Sequence, residues 1–419
     1  MESILRHIKK FVPRPIFEFF QPAYHYTLAL LGAIRYGFPS RRIKVVGVTG
    51  TKGKSSTTEF LNAMLEAAGK KTALVNGIRF KISDVSEPNL FKMTMPGRMF
   101  IQRKIHEAIR AGCEYFILEI TSEGAKQFRH KFINLDALIF TNISPEHIES
   151  HGSYEKYLAA KLSIARALEM SPKKNKAIIA NIDDKEGARF LETRVPVKIP
   201  YSLKDAGEYS ADTSGIAFVV DGEKINSPLP GVFNIYNLLA AAACAKHFGI
   251  SPAEIRRGAE AVSKIRGRME KIEGGQSFDV YVDYAHTADS LEQAYQALSG
   301  KNLICILGST GGGRDQWKRP LMGAVAEKYC SHIFLTNEDP YDEDPQKIIK
   351  EVAGGIKDKT PKIILDRHEA IREALSLARA GDAVIITGKG TDPYIMEASG
   401  KKTPWNDAAV AREELRRMK

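Results

Sequence analysis

Residues 43–68 constrain the fold more than any other part of the chain. Ile43-Lys44-Val45-Val46-Gly47-Val48 is an apolar run that reads as a buried strand, and a helical pattern extends from about Ser55 to Ala68. Between them lies Gly47-Val48-Thr49-Gly50-Thr51-Lys52-Gly53-Lys54-Ser55-Ser56. A strand that passes straight into a helix rejoins its sheet through a crossover, so this unit predicts a parallel α/β layer. The glycines let backbone N–H groups approach phosphate oxygens without a Cβ in the way. The helix N-terminus adds partial positive charge at the same place. Lys54 can reach outer phosphates and Ser55 can hold Mg²⁺. The strict form of such a loop has Gly where this chain has Val48, so this is a variant with glycines at 47, 50 and 53.

Further strand candidates are Tyr115–Ile120, Ala137–Thr141, Ala177–Ala180, Leu303–Leu307, His332–Leu335, Lys362–Leu365 and Ala383–Thr387, with helical patterns between most of them. The helix Ile235–Phe248 leads through a second helix to Arg266-Gly267-Arg268-Met269-Glu270, and a fresh strand, Phe278–Val282, follows a Gly-Gly turn. The predicted class is therefore α/β. A central phosphate-loop domain with a mostly parallel sheet spans 43–266, a second α/β domain spans 267–419, and a short helical segment, 1–42, precedes both. Pro13, Pro15 and Pro22 are expected to break that segment into short helices.

Composition narrows the partners. The net charge is +11, but the first 44 residues hold eight Lys/Arg against two Asp/Glu. More than half of the excess thus sits in one tenth of the chain, and the remainder reads as solvated surface, so no nucleic-acid partner is expected. The same segment carries Phe11, Phe17, Phe19, Phe20, Tyr24, Tyr26, Tyr36 and Phe38. Two readings stay open for it: a helical cap on the adjoining layer, or weak peripheral contact with an anionic membrane surface. Cys113, Cys244, Cys305 and Cys330 show no C-x-x-C spacing, which excludes a zinc or redox pair of that type and predicts four free thiols in a reducing cytoplasm. The apolar run Leu28–Ile34 is too short to span a bilayer, and no secretory signal is read.

The loop T-G-T-x-G-K-S-S at Thr49–Ser56 resembles the nucleotide loop of the Mur ligase superfamily, with Lys52 where Asn is usual. Other segments agree in order. Glu119-Ile120-Thr121-Ser122 resembles E-V-S-S, and Arg129 follows ten residues after Glu119. Thr141-Asn142-Ile143-Ser144-Pro145-Glu146-His147-Ile148-Glu149 resembles F-T-N-L-S-x-D-H-L-D, with both aspartates replaced by glutamates. Tyr157–Lys161 resembles Y-x-x-A-K, and Gly231–Asn237 resembles G-x-F-N-x-x-N. Gly267–Glu270, Val282–Thr287, Gly311–Pro320 and Gly388–Asp392 resemble G-R-M-E, V-D-Y-A-H-T, G-G-D-R-D-x-x-K-R-P and G-K-G-H-E. The combination is most similar to the branch that extends UDP-N-acetylmuramoyl-dipeptide.

This resemblance implies a Rossmann-like C-terminal domain and an ATP-dependent acid–amino-acid ligase of peptidoglycan precursor synthesis, cytoplasmic, monomeric and working with Mg²⁺. It implies a catalytic set of Lys54, Lys161, His147, Glu119 and Arg268. ATP would be held by Gly50, Thr51, Gly53, Lys54, Ser55, Ser56, Asn234, Asn237, Arg268, Asp283 and His286. Metal ligands would be Ser55, Glu119, His147 and Lys161, the last as a CO₂-derived carbamate. The muramoyl-peptide acceptor, UDP-linked or lipid-linked, would meet Thr121, Gln127 and Arg129. The free amino acid would meet Arg314, Asp339, Tyr341, Gly388 and Asp392.

Two departures matter. Only about 42 residues precede the first strand, too few for the uridine-binding domain of full-length relatives. The selecting motif D-N-P-R of diaminopimelate-adding members stands here as Glu338-Asp339-Pro340-Tyr341, without the carboxylate-clamping Arg. Acidic Glu338, Asp339 and Asp342 then favour a distal amine, so L-lysine or a similar diamino acid is expected. Two alternatives remain: a folylpolyglutamate-synthase-like ligase, and a non-catalytic binding protein derived from a ligase.

Overall fold

The computed structural model describes residues 14–146 and 148–418, with side chains from Phe20 onward. Eight strands form the first sheet: β1 (Lys44–Thr49), β2 (Thr72–Val75), β3 (Arg79–Ile82), β4 (Val85–Pro88), β5 (Tyr115–Glu119), β6 (Ala137–Phe140), β7 (Ala177–Asn181) and β8 (Val197–Tyr201). Their order is β4-β3-β2-β5-β1-β6-β7-β8, and only β3 runs antiparallel to its neighbours. Alternation along the central strands sorts side chains to two covered faces. Val46, Val48, Ile117 and Ile139 pack with the helices Lys54–Ala67, Val232–His247 and Pro252–Ala261. Val45, Phe116, Leu118 and Leu138 pack with the helices Arg98–Arg110 and Tyr154–Glu169. A three-stranded antiparallel sheet, β9 (Tyr209–Asp212), β10 (Gly215–Val220) and β11 (Glu223–Ser227), extends the first core.

The second sheet has the order β12-β13-β17-β14-β15-β16, where β12 is Glu270–Lys271, β13 Asp279–Val282, β14 Leu303–Leu307, β15 His332–Leu335, β16 Lys362–Ile363 and β17 Ala383–Ile386. All but β12 are parallel. Helices cover both of its faces. The expected class, two α/β layers with mostly parallel sheets, is the class found.

Two expectations are corrected. Cys305 on β14 and Cys330 at the end of the helix Lys318–Tyr329 form a disulfide, leaving Cys113 and Cys244 as the free thiols. The 25-residue separation hid a Cα–Cα distance of 5.9 Å, created where the helix returns to β14. Pro15 and Pro22 do not break the described part of the N-terminal segment: one helix runs Arg14–Arg35 with Pro22 inside it. Pro15 sits in the first turn, where its missing N–H has no intrahelical partner to lose. Pro13 lies outside the described residues. Ala29 and Ala33 are buried, and Tyr26 meets the edges of Phe128 and Phe132, so part of this helix caps the first layer. Among the described residues, no helix is long and apolar enough to cross a membrane.

Candidate active site

In parallel sheets ligands gather beyond the C-terminal strand ends, where neighbouring loops diverge. Here the C-terminal ends of both sheets open onto one cavity of about 450 Å³, lined by the loop 51–56, Glu119, Arg268, Tyr284, His286, Arg314 and Tyr341 among others. A second cavity of about 490 Å³ adjoins it and shares Lys52, Gly53, Phe233, Asn237 and Gln293.

The phosphate loop leaves β1 between β5 and β6, so residues ending those strands flank it. Gly50 (φ +155°) lies against Thr141, and Gly53 (φ +79°) lies against the Asn237 amide. A Cβ at either position would collide, which accounts for both glycines. Thr51 N–H donates to the Asn142 carbonyl at 2.8 Å and Lys52 N–H to Asn142 Oδ1 at 2.9 Å, pinning the loop to the end of β6. Thr51 Oγ1 meets the Tyr157 hydroxyl at 2.8 Å. Ser56 is buried on the first turn of the helix.

Two lysines hold carbonyls of this loop, Lys54 half-buried and Lys161 buried. Lys54 Nζ donates to the Thr51 carbonyl at 2.8 Å, and Lys161 Nζ donates to the Gly50 carbonyl at 2.6 Å. Burial lowers the pKa of Lys54, with Glu119 and Glu146 opposing. Burial, with Lys54 as an adjacent cation, holds Lys161 well below the usual lysine range. Glu119 Oε2 accepts from Ser55 Oγ at 2.7 Å and from Gly77 N–H at 3.0 Å. Ser55 and Glu119 thus bring hard oxygen donors together, a set that fits Mg²⁺. His147 lies outside the described residues, so its expected place beside them is not described.

The second layer closes on the first through specific pairs. Glu146 Oε2 accepts from Lys52 at 3.2 Å, and its Oε1 meets His286 Nε2 at 2.8 Å. Lys92 forms ion pairs with Asp339 and Asp392. Arg268 stacks its guanidinium 4.5 Å from the Tyr284 ring centroid and lines the cavity. Gly267 (φ +61°) packs against the backbone of Gly390 and Thr391.

The remaining expected residues fall into two groups. Arg314, Tyr341, Asp339, Gly388 and Asp392 all line the main cavity, with Arg314 Nη2 3.5 Å from the Tyr341 hydroxyl. Others are engaged in structure. Asp283 accepts from Met269 N–H and Ala285 N–H, both at 2.7 Å, and so shapes its own loop. Asn234 donates to the Pro230 carbonyl at 2.9 Å and accepts from Asn237 at 3.1 Å. Thr121 caps the helix Ser122–Lys126 through Gly124 N–H, and Gln127 accepts from Arg129 at 2.8 Å.

A model of the Mur ligase middle domain matches residues 48–245, and one of the Mur ligase glutamate ligase domain matches residues 267–390. A UDP-N-acetylmuramoyl-L-alanyl-D-glutamate–2,6-diaminopimelate ligase of Syntrophomonas wolfei is 38% identical over 406 residues, covering 93% of this chain and 82% of that protein. The chain belongs to the Mur ligase family. A UDP-N-acetylmuramyl-tripeptide synthetase of Roseiflexus is 35% identical, with the same 93% and 82% coverage. Among solved structures, a diaminopimelate ligase of this name superposes with a TM-score of 0.61 at 26% identity, covering 90% of this chain and 79% of that one. A folylpolyglutamate synthase of Mycobacterium tuberculosis has a TM-score of 0.71 at 16% identity over 93% and 95%, which is a likeness of fold. As a Mur ligase, the chain is an ATP-dependent, amide-forming enzyme that works with Mg²⁺.

One feature of the amino-acid pocket differs from the sequence expectation, and two residues near the site, Lys92 and Lys318, were not expected there. Asp339 is not open to a substrate amine, because Lys389 Nζ (2.8 Å) and Lys92 already neutralise it. Asp342 accepts from Ser399 N–H at 2.7 Å on the exposed side. Glu338 remains: its Oε1 accepts from Thr310 Oγ1 at 2.7 Å, while its buried Oε2 has no partner among the described residues. Lys92 was missed because it sits in a loop with no periodic pattern. Lys318, buried beside the site, was visible only as part of the G-G-x-R-D-x-x-K-R-P segment.

Proposed function

We propose that this Mur ligase joins a free diamino acid, with L-lysine favoured, to the carboxylate of a muramoyl-peptide acceptor. The observation that carries the reading is the convergence of Lys54, Ser55 and Glu119 from one layer with Arg268, Arg314 and Glu338 from the other around one cavity, with Lys161 buried behind the loop on the Gly50 carbonyl. The acceptor carboxylate oxygen attacks the γ-phosphorus of ATP, ADP leaves, and an acyl phosphate results. The amine then attacks the acyl carbon, and inorganic phosphate leaves with the C–O bond electrons. Lys54 and Arg268 balance charge on the transferring group. Mg²⁺, when held by Ser55 and Glu119, supplies further charge neutralisation. Arg314 pairs with the α-carboxylate of the amino acid. The unpartnered Glu338 oxygen suits an ammonium at its distal end, and Tyr341 offers no cation for a second carboxylate.

Lys161 is the site of a carbamate in this reading. Its lowered pKa favours the neutral amine, and a neutral amine adds to CO₂ with loss of one proton. The product is an anion where an ammonium would repel the neighbouring cations. The units 1–42, 43–266 and 267–419 are the working divisions. Phe20, Tyr24, Leu31 and Ile34 form an exposed apolar stripe on the first helix, suited to weak contact with an anionic membrane face from the cytoplasmic side.

The test is direct. The protein is incubated with ATP, Mg²⁺ and either UDP-muramoyl-dipeptide or a folate, together with L-lysine or diaminopimelate. Phosphate release should require the muramoyl acceptor and an amino acid, with lysine giving the higher kcat/KM. Release that depends on the folate would overturn the acceptor; preference for diaminopimelate would overturn the amino acid.

A further inference from the structure

Beyond the wall of the main cavity lies a pair of arginines that form no ion pair among the described residues. Met93 lines the cavity, and its Sδ accepts from Arg129 Nη1 at 2.7 Å. The same guanidinium donates to the Met95 carbonyl and, at 2.8 Å, to Gln127 Oε1. Arg129 Nε is buried and has no partner among the described residues. Arg98, on the first turn of the helix Arg98–Arg110, donates from Nε to the carbonyl of the same Gln127 at 3.0 Å. Its Nη2 donates to His25 Nδ1, on the N-terminal helix. Among the described residues, neither arginine has an acidic oxygen within ion-pair distance, whereas the half-buried Arg79 pairs with Glu59 and the buried Arg319 and Arg367 pair with Glu343 and Asp407.

Two cations side by side and partly buried are costly unless an anion joins them. Burial and, after it, the charge of Arg98 lower the pKa of Arg129 to about 10, with Glu123 opposing. Burial also lowers Arg98. A single carboxylate satisfies one guanidinium fork. Two adjacent forks match a longer, multiply charged anion, with one fork to each phosphoryl group.

We propose that Arg98, oriented by His25 and paired with Arg129, forms a subsite for the diphosphate of the acceptor. The inference deepens the acceptor reading above and assigns two residues to it, Arg98 as a binding residue and His25 as a positioning residue. The N-terminal helix thereby takes part in substrate binding, in addition to covering the layer. His25 accepts a hydrogen bond through Nδ1 and so holds the Arg98 fork toward Gln127.

The experiment is a calorimetric titration of the full chain, its phosphate loop filled with a non-hydrolysable ATP analogue. The two probes are uridine diphosphate and farnesyl diphosphate, which carry the same diphosphate on a nucleoside and on a lipid chain. The tighter of the two identifies the source of the diphosphate. Arg98→Gln should weaken that probe at least fivefold, Arg98→Lys should recover part of the loss, and His25→Ala should weaken it in the same direction. Affinity for the ATP analogue and the melting temperature should not move, which separates a lost subsite from a damaged fold. Absence of binding by both probes, or a loss below fivefold in Arg98→Gln, would overturn the subsite. The titration involves no amide formation. A protein that binds a diphosphate through Arg98 yet leaves muramoyl-dipeptide unextended would overturn the substrate reading alone.

Discussion

Lys161 offers the sharpest test, because its structural and chemical contributions differ in size. The side chain is 1% exposed and, among the described residues, makes one hydrogen bond, to the Gly50 carbonyl at 2.6 Å, and no ion pair. Lys161→Met keeps the aliphatic stem and removes only the amine. Leaving one buried carbonyl short of a donor costs about 1–3 kcal/mol, so the variant should fold. Losing a preorganised charge beside the reacting phosphate should lower kcat by about 10²–10³. Chemical denaturation and steady-state phosphate release measure the two effects on the same sample. Carbamate chemistry adds a third readout. Sweeping CO₂ from the buffer should slow the parent enzyme, the more so at lower pH, because protonation competes with CO₂ for the amine. The Lys161→Ala variant should be partly restored by short carboxylates that enter the space left behind. Turnover of Lys161→Met within fivefold of the parent would refute the role. A large loss with no response to CO₂ or to carboxylates would leave a cationic lysine and refute the carbamate.

Three further outcomes are expected. Lys54→Ala should abolish ATP turnover while leaving the amino-acid pocket intact, checked by phosphate release and by amino-acid binding. Tyr341→Arg should shift kcat/KM toward diaminopimelate by returning a carboxylate clamp beside Arg314, and Glu338→Gln should raise KM for lysine; unchanged ratios would place selection elsewhere. Glu123, hydrogen-bonded to His151 and Ser150, has its carboxyl pKa lowered from 4.5 to about 2. A depressed folded-state pKa gives stability that is present above pH 4.5 and is lost as pH falls toward 2. The stability gap between the parent and Glu123→Gln should therefore close over that window in urea titrations, and a gap that stays constant would show that the carboxylate is not the source.

What was legible in the sequence followed from chemistry that is local along the chain. The strand, glycine turn and helix of 43–68 predicted a loop whose glycines contact Thr141 and Asn237, and the central strands of both sheets appeared as uninterrupted apolar runs because both faces are covered. The strands β3, β4, β9 and β18 (Tyr394–Met396) were not legible: they are short, edge-lying or half-exposed, so no periodicity marks them. The state of the acidic residues was hidden for a different reason. Glu338 and Asp339 are adjacent and chemically alike, yet β15 ends just before them and the chain turns. That turn sends Asp339 toward Lys389 and Lys92 and leaves one oxygen of Glu338 unpaired. Lys389 is 50 residues away and Lys92 comes from the other layer, so only the packing of the two sheets decides which carboxylate is neutralised. The Arg98–His25 contact has the same origin. Neither residue stands in a motif, and a helix ahead of the first strand had to dock before the basic side chain beside it could be seen to lack a counter-charge. The residues most informative about substrate are thus those whose partners come from a different layer, and they are also the ones that substitution can probe without disturbing the phosphate loop.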